Sequence, residues 1–197
     1  MSVAHTLPPA DAPRGFTRQR TGHWRESLTL ADGRELVLRP IEPDDTPALQ
    51  RAFAKLEPEE VRLRFLHPMS ELTDAYAREL CTLDPKRAFA LVIAEPGIPG
   101  IAEIGAVARL AFEEPGGNAD FAIIVGHPLA GNGLGRHMLR RLIDWSRRRG
   151  LKSLQGDVLN DNLVMLHLAH RLGFTQQSMG EPGLVRICRP LQKKHLG

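Results

Sequence analysis

The chain has 197 residues, 42% of them hydrophobic and 25% charged, with a formal net charge of +3. That length suits one domain with a substantial core, and the composition is that of an ordinary globular protein. So small a positive balance favours an anionic ligand or partner only slightly and gives no ground for nucleic-acid binding, and no apolar run reaches membrane-spanning length. The first residues, MSVAHTLPPADAPRGF, lack the charged-then-apolar layout of a secretion signal. Cys81 and Cys188 are the two cysteines, which fits a reducing compartment. The expectation is a cytoplasmic protein with no membrane and no nucleic-acid partner. The eight histidines are scattered without metal-ligand spacing, so no metal is expected.

Residues 1–22 are rich in Pro, Ala, Gly, Thr and Arg and read as a flexible tail, with a single domain over 23–197. "SLTL-ADGR-ELVLRPI" reads as strand, Asp32-Gly33 turn, strand. "EPDDTPALQRAFAKL" opens with acids and Thr46-Pro47, both helix-start signals, and carries an apolar stripe of Leu49, Phe53 and Leu56. "PEEVRLRFL" and "SELTDAYARELCTL" predict two further helices, with Ser70 and Thr73 as candidate caps of the second. Strands follow in "RAFALVIAEP", "IAEIGAVARLAFEE" and "ADFAIIV", the last apolar enough for the centre of a sheet. Leu134, Met138, Leu142 and Trp145 repeat at helical spacing, with Leu139 and Ile143 alongside. "LKSLQGDVL" is a strand, "NDNLVMLHLAHRLGF" a capped helix and "LVRICRPL" a last strand. The order predicts a mixed α/β domain.

Gly131, Gly133 and Gly135 stand at alternate positions where the strongest helix begins. A helix N-terminus carries unpaired N–H groups and a partial positive charge that suit phosphate oxygens, and glycine lets backbone approach a ligand closely. The spacing is G-x-G-x-G, not the dinucleotide G-x-G-x-x-G, and no G-K-[ST] follows. Taken alone, the glycines are either a phosphate cradle or a plain loop and cap.

About 30 residues on, "NLVMLHLAHRLGF" runs from Asn162 to Phe174. Together the two stretches resemble the Gcn5-related N-acetyltransferase (GNAT) superfamily. That family pairs an [QR]-x-x-G-x-[GA] pyrophosphate loop with a downstream N-x-x-x-x-x-L-Y-x-x-x-G-F helix. The loop corresponds here to Ala130, Gly133 and Gly135, and the helix to Asn162, Leu168, Ala169, Gly173 and Phe174. "LVLRPIEPDD", "VRLRFLHPMSEL" and "ADFAIIV" are similar to the acetyltransferase domain of bacterial Pat-type protein lysine acetyltransferases, from about Leu28 to Pro190. In many of these the domain follows a synthetase-like or cyclic-nucleotide-binding region; the short N-terminal stretch here implies a stand-alone version.

The resemblance implies a GNAT fold: a mixed, mostly antiparallel sheet with a splayed strand pair, flanked by helices. It implies direct transfer of an acetyl group from acetyl-CoA, with no metal, to a primary amine on an acceptor protein or small molecule, with protein lysine favoured. Backbone at Ile124 and Val125 would pair with the pantetheine arm, and the amides of Gly131, Asn132, Gly133, Leu134, Gly135 and Arg136 would hold the pyrophosphate. Asn162 would bind the pantetheine or simply cap its helix. Asp120 stands where Pat-type relatives carry Glu, as general base or as a polar residue at a strand start, with Glu103 in reserve. Ala130 replaces the Gln or Arg of the loop. Ala169 replaces a Tyr that would protonate the leaving thiolate, and His167 and His170 lie nearby. Arg147, Arg148 and Arg149 either attract the ribose phosphate or form a solvated helix end. Asp120, Ala130 and Ala169 leave two alternatives: a non-catalytic acyl-CoA-binding regulatory module, and a small-molecule amine acetyltransferase.

Overall fold

The computed structural model describes residues 16–21, 24–112 and 117–191. Alternation in RESLTL and ELVLRP sends Leu28, Leu30, Leu36 and Leu38 to one face, and all four are buried. Their strands, β2 (Arg25–Leu30) and β3 (Glu35–Pro40), join through the predicted turn, where Gly33 takes φ +88°. Phe16–Thr21, which composition assigns to the tail, forms an edge strand, β1, antiparallel to β2. The rest of the expected tail lies outside the described residues.

Three helices follow: α1 (Thr46–Ala54), α2 (Pro58–Phe65) and α3 (Asp74–Cys81). Each obeys its start signal. Pro lies at the first turn of α1 and α2, and Glu57 with Glu60 forms a capping box on α2. On α3 the cap is Thr73, whose hydroxyl accepts from the Tyr76 N–H; Ser70 is not used. The strands β4 (Ala88–Ala94), β5 (Ile104–Phe112) and β6 (Asn118–Val125) form an antiparallel run. After a short 3-10 turn at His127–Leu129 come α4 (Leu134–Arg148), β7 (Ser153–Leu159), α5 (Leu163–Arg171), β8 (Thr175–Ser178) and β9 (Leu184–Pro190). The sequence does not announce β8: its residues, TQQS, are all exposed and carry no alternation to read.

The described strands form one sheet in the order β1-β2-β3-β4-β5-β6-β7-β9-β8, antiparallel except where β6 meets β7. Each face covers its own core. On one side α4 and α5 bury Met138, Leu139, Leu142, Leu166 and Ala169 against Ala106, Ala108, Leu110 and Phe121. On the other, α1 and α3 bury Leu49, Phe53, Ala77 and Cys81 against Ala90, Val92 and Ile104. The face of β6 carrying Ala119 and Phe121 meets the first core. Ile124, of opposite parity, faces the α1–α3 side.

Two buried ionic clusters fix the layers. Arg39 donates twice to Asp45, at 2.6 and 2.7 Å, with both side chains almost fully buried. Asp45 also accepts from the N–H groups of Glu42 and Gly100, tying β3, α1 and the turn before β5 together. Burial would raise the Asp45 carboxyl, but the Arg39 hydrogen bonds and the two amides outweigh it and hold it below the usual range. On the α4 side, Glu26 of β2 is buried with His137 Nε2 2.8 Å from its Oε2 and Arg141 on its Oε1. Burial again opposes, and these partners win, so Glu26 too titrates low.

Candidate active site

The parallel pairing of β6 with β7 consists of Asn118↔Ser153, Ala119↔Leu154 and Asp120↔Gln155, and goes no further. β6 continues to Val125 and β7 to Leu159, so the strands part beyond Asp120. Phe121 stands at the fork. A Cβ on Gly156 would lie 3.0 Å from the Phe121 carbonyl oxygen and 3.1 Å from its ring, so glycine lets β7 pass close to Phe121 without displacing it.

The ladder with β5 says which backbone groups face the gap. Gly126 N–H donates to the Gly105 carbonyl. In an antiparallel ladder the direction of N–H and C=O alternates, so those of Ile124 point to β5 and those of Ile123 and Val125 point into the gap. Of the two residues expected to offer backbone here, Val125 turns its N–H and C=O to the gap, whereas Ile124 turns them to β5 and lines the cleft. Ile123 is the residue that sequence reasoning missed, and parity counted from a known ladder bond is what finds it.

A cleft of about 480 Å³ opens at this fork. Ile123, Ile124 and Val125 form one wall, the loop residues Ala130, Gly131 and Gly133 its end, and Asn162 and Leu168 of the α5 region the other wall. Leu134, Gly135 and Arg136 also line it. Gly131 and Gly133 take φ +78° and +77°, a left-handed conformation that side chains resist, and Gly133 is the N-cap of α4. The loop thus turns the first amides of a long amphipathic helix toward the cleft. Asn132 is different: its side chain braces the loop by donating to the Leu129 and Ala130 carbonyls, and it does not line the cleft. Asn162 lines the cleft while its Oδ1 accepts the Met165 N–H at 3.1 Å, so the helix cap is real.

Asp120 does not line this cleft. It is exposed at the last position of β6 paired with β7, in a neighbouring basin with Arg87, Arg109 and Ala111. Arg186 of β9 is within electrostatic reach of it. Glu103 is elsewhere: Arg51 and Lys55 both bind its carboxylate and hold its pKa low, which makes it a weaker base. His167 and His170 are exposed outside the cleft, and Ala169 is core.

The Arg147–Arg149 run is a helix end, not a phosphate site. α4 has 15 residues, so its C-terminus lies about 22 Å from the glycine loop. Arg148 and Arg149 instead lie over the Trp24 and Trp145 rings, and Trp145 stacks on Phe89.

A second, smaller pocket of about 120 Å³ lies on the α1–α3 side of β6. It is lined by apolar groups such as Leu49, Phe53, Phe65 and Val107, and it shares Arg64, Ile124 and Leu129 with the cleft. Arg109 lines both this pocket and the Asp120 basin. Burial pushes the Arg64 guanidinium down to about 10, Tyr76 acting against that shift and Arg109 with it; it keeps its charge at neutral pH.

Residues 35–175 match the sequence profile described as an acetyltransferase (GNAT) domain. The chain belongs to the GNAT acetyltransferase family. A Pseudomonas aeruginosa protein named acetyltransferase PA5475 is 28% identical over 168 residues, spanning 85% of this chain and 89% of the relative. Among solved structures, the GNAT domain of S. lividans PAT superposes with a TM-score of 0.75 at 25% identity, covering 88% of this chain and all of that one. A cAMP-binding acyltransferase from Mycobacterium smegmatis, at 22% identity and TM-score 0.57, shares the fold over 90% of this chain, which spans about half (48%) of that protein. The chain is thus an acetyl-CoA-dependent N-acetyltransferase with the GNAT fold.

Proposed function

We propose that the chain acetylates lysine side chains of proteins by direct transfer from acetyl-CoA in a ternary complex, in the cytoplasm. The observation that carries this reading is the fork between β6 and β7, which sets free backbone groups and a helix N-terminus along one cleft. The lysine acceptor is supported by the sequence likeness to Pat-type enzymes and by the structural likeness to the GNAT domain of S. lividans PAT.

When bound, acetyl-CoA supplies an activated acetyl thioester. The amides of the loop from Gly131 to Arg136 hold the pyrophosphate, with Asn132 acting through its backbone and its brace on the loop. Ile123 and Val125 pair with the amide-bearing arm as a missing strand would, and Asn162 keeps Nδ2 to donate while Oδ1 caps α5. The Val125 N–H stabilises negative charge developing on the carbonyl oxygen.

An alkylammonium, with pKa ~10.4, must lose a proton before it attacks. Arg64 and the apolar lining disfavour the ammonium form at the cleft mouth. Asp120, across the basin, accepts the proton through water. Ala169 is buried and both nearby histidines lie outside the cleft, so none of these positions offers an acid to the departing thiolate.

The test is acetylation of a lysine-containing protein lysate, read by acetyl-lysine mass spectrometry beside a panel of free amines. Incorporation into lysines supports the reading. Turnover of polyamines or amino acids without protein acetylation would replace it with a small-molecule acetyltransferase, which the modest size of the apolar pocket also suits.

A further inference from the structure

Most arginines with partners in this molecule hold carboxylates: Arg39 holds Asp45, Arg186 holds Asp157, and Arg62 binds both Glu59 and Asp161. Arg64 and Arg109 do not. Among the described residues neither has a carboxylate at ion-pair distance. Arg64 lies over the Phe65 ring, 4.8 Å from its centroid. Arg109 donates through Nη1 to the Leu80 carbonyl at 3.0 Å, with Tyr76 and Glu79 only within longer electrostatic reach. Both are half-buried, so each guanidinium gives up part of its water without gaining an anion, which a fold does not favour unless something else supplies the anion.

Their placement says where that anion would come from. Arg64 borders the donor cleft and the apolar pocket; Arg109 borders the apolar pocket and the basin of Asp120. The two cations therefore mark the passage from donor to base, which the acceptor nitrogen has to occupy. Of the other charged groups lining these spaces, Glu60 takes the His127 N–H at 2.7 Å and Lys55 is held by Glu103, while Arg87 is exposed at the rim of the Asp120 basin. Resting on the acetyl-transfer reading above, we propose that the acceptor amine comes with a neighbouring carboxylate, which Arg64 and Arg109 bind. A lysine flanked by Asp or Glu and a free amino-carboxylate share this chemistry. In an apolar surround a charge-assisted hydrogen bond discriminates by tenfold or more against a neutral isostere.

Four acceptors test it: a Glu-Lys-Glu peptide against its Gln-Lys-Gln counterpart, and 6-aminohexanoate against its amide. The expected result is a kcat/KM at least tenfold higher for the acid in one pair or both. The peptide pair alone assigns protein acceptors, and the free pair alone assigns small ones. Arg64→Gln and Arg109→Gln should collapse the ratio toward one. Arg109→Glu should invert it in favour of an Arg-Lys-Arg peptide, a gain that misfolding does not imitate. Transfer with equal efficiency to acid and amide in both pairs overturns the proposal alone. So does Arg64→Gln raising KM for acetyl-CoA with the acceptor ratio unchanged, since the guanidinium would then serve the donor. No transfer to any of the four, with acetyl-CoA still bound, counts against the transfer reading as well.

Discussion

Gly133 sits at φ +77° as the N-cap of α4, and its neighbour Ala130 lines the same cleft without a polar side chain. Gly133→Ala puts a Cβ on a left-handed residue, so it should cost about 1 kcal/mol of stability and raise KM for acetyl-CoA more than it lowers kcat. Ala130→Arg restores the charged side chain of the family loop; steady-state kinetics should show KM for acetyl-CoA falling several-fold. Asp120→Ala should lower kcat about 100-fold near neutral pH. The gap to the parent should narrow as pH approaches ~10, where the amine deprotonates unaided; a pH-independent loss would assign Asp120 a structural role. The glycines, Asp120 and Asn162 were all legible in the sequence. Arg64 and Arg109 were not, because a lone arginine on a helix or strand looks like surface until the pockets on both sides of β6 are seen.

At the scale of elements, the start signals were read almost entirely from the chain: Thr73, the Thr46-Pro47 pair and the Asp32-Gly33 turn each stand where local chemistry places them. What escaped was pairing without pattern. β1 and β8 are edge strands, and neither TQQS nor FTRQRT carries a sustained apolar alternation. The Arg39–Asp45 pair was invisible for a related reason, since it depends on β3 and α1 meeting the Gly100 turn. Asp45→Ala leaves the Arg39 charge buried and alone, which should cost about 3–5 kcal/mol in denaturant unfolding. Asp45 and Glu26 both have folded-state pKa values below their ordinary ones. The stability they add is therefore complete above the unfolded carboxylate range, near pH ~4, and is lost as pH falls through their lower folded values. Melting temperature against pH should stay level near neutrality and drop on the acid side, with a shallower drop in a Glu26→Gln variant.

The described residues form a sheet with one helical layer serving each side, and the cleft proposed for the donor lies where that sheet is open. Ligand binding to the folded form alone stabilises by about 2.7 kcal/mol at a hundredfold excess over Kd. For a chain of this size that is a rise in melting temperature of roughly 5–10 °C. Hydrogen exchange with and without CoA should localise the protection to Ile123, Val125, the loop from Gly131 to Arg136 and the start of α5. Protection spread evenly over the sheet would contradict the cleft assignment.

The fork also divides authorship of the reaction along the chain. Apart from Glu60, Leu63 and Arg64 of α2, the donor cleft is written by residues 121–168. The pocket on the opposite face draws chiefly on residues 41–109. On the reading proposed above, the first length can stay fixed in a lineage while the second drifts, because none of the residues assigned to the thioester lies on α1 or α3. One family can therefore keep a single donor and diversify its recipients without repeated invention of the catalytic centre. Exchanging α1 and α3 between two relatives, with α2 left in place because it lines the cleft, should shift acceptor preference with the transplanted segments and leave the KM for acetyl-CoA close to that of the host.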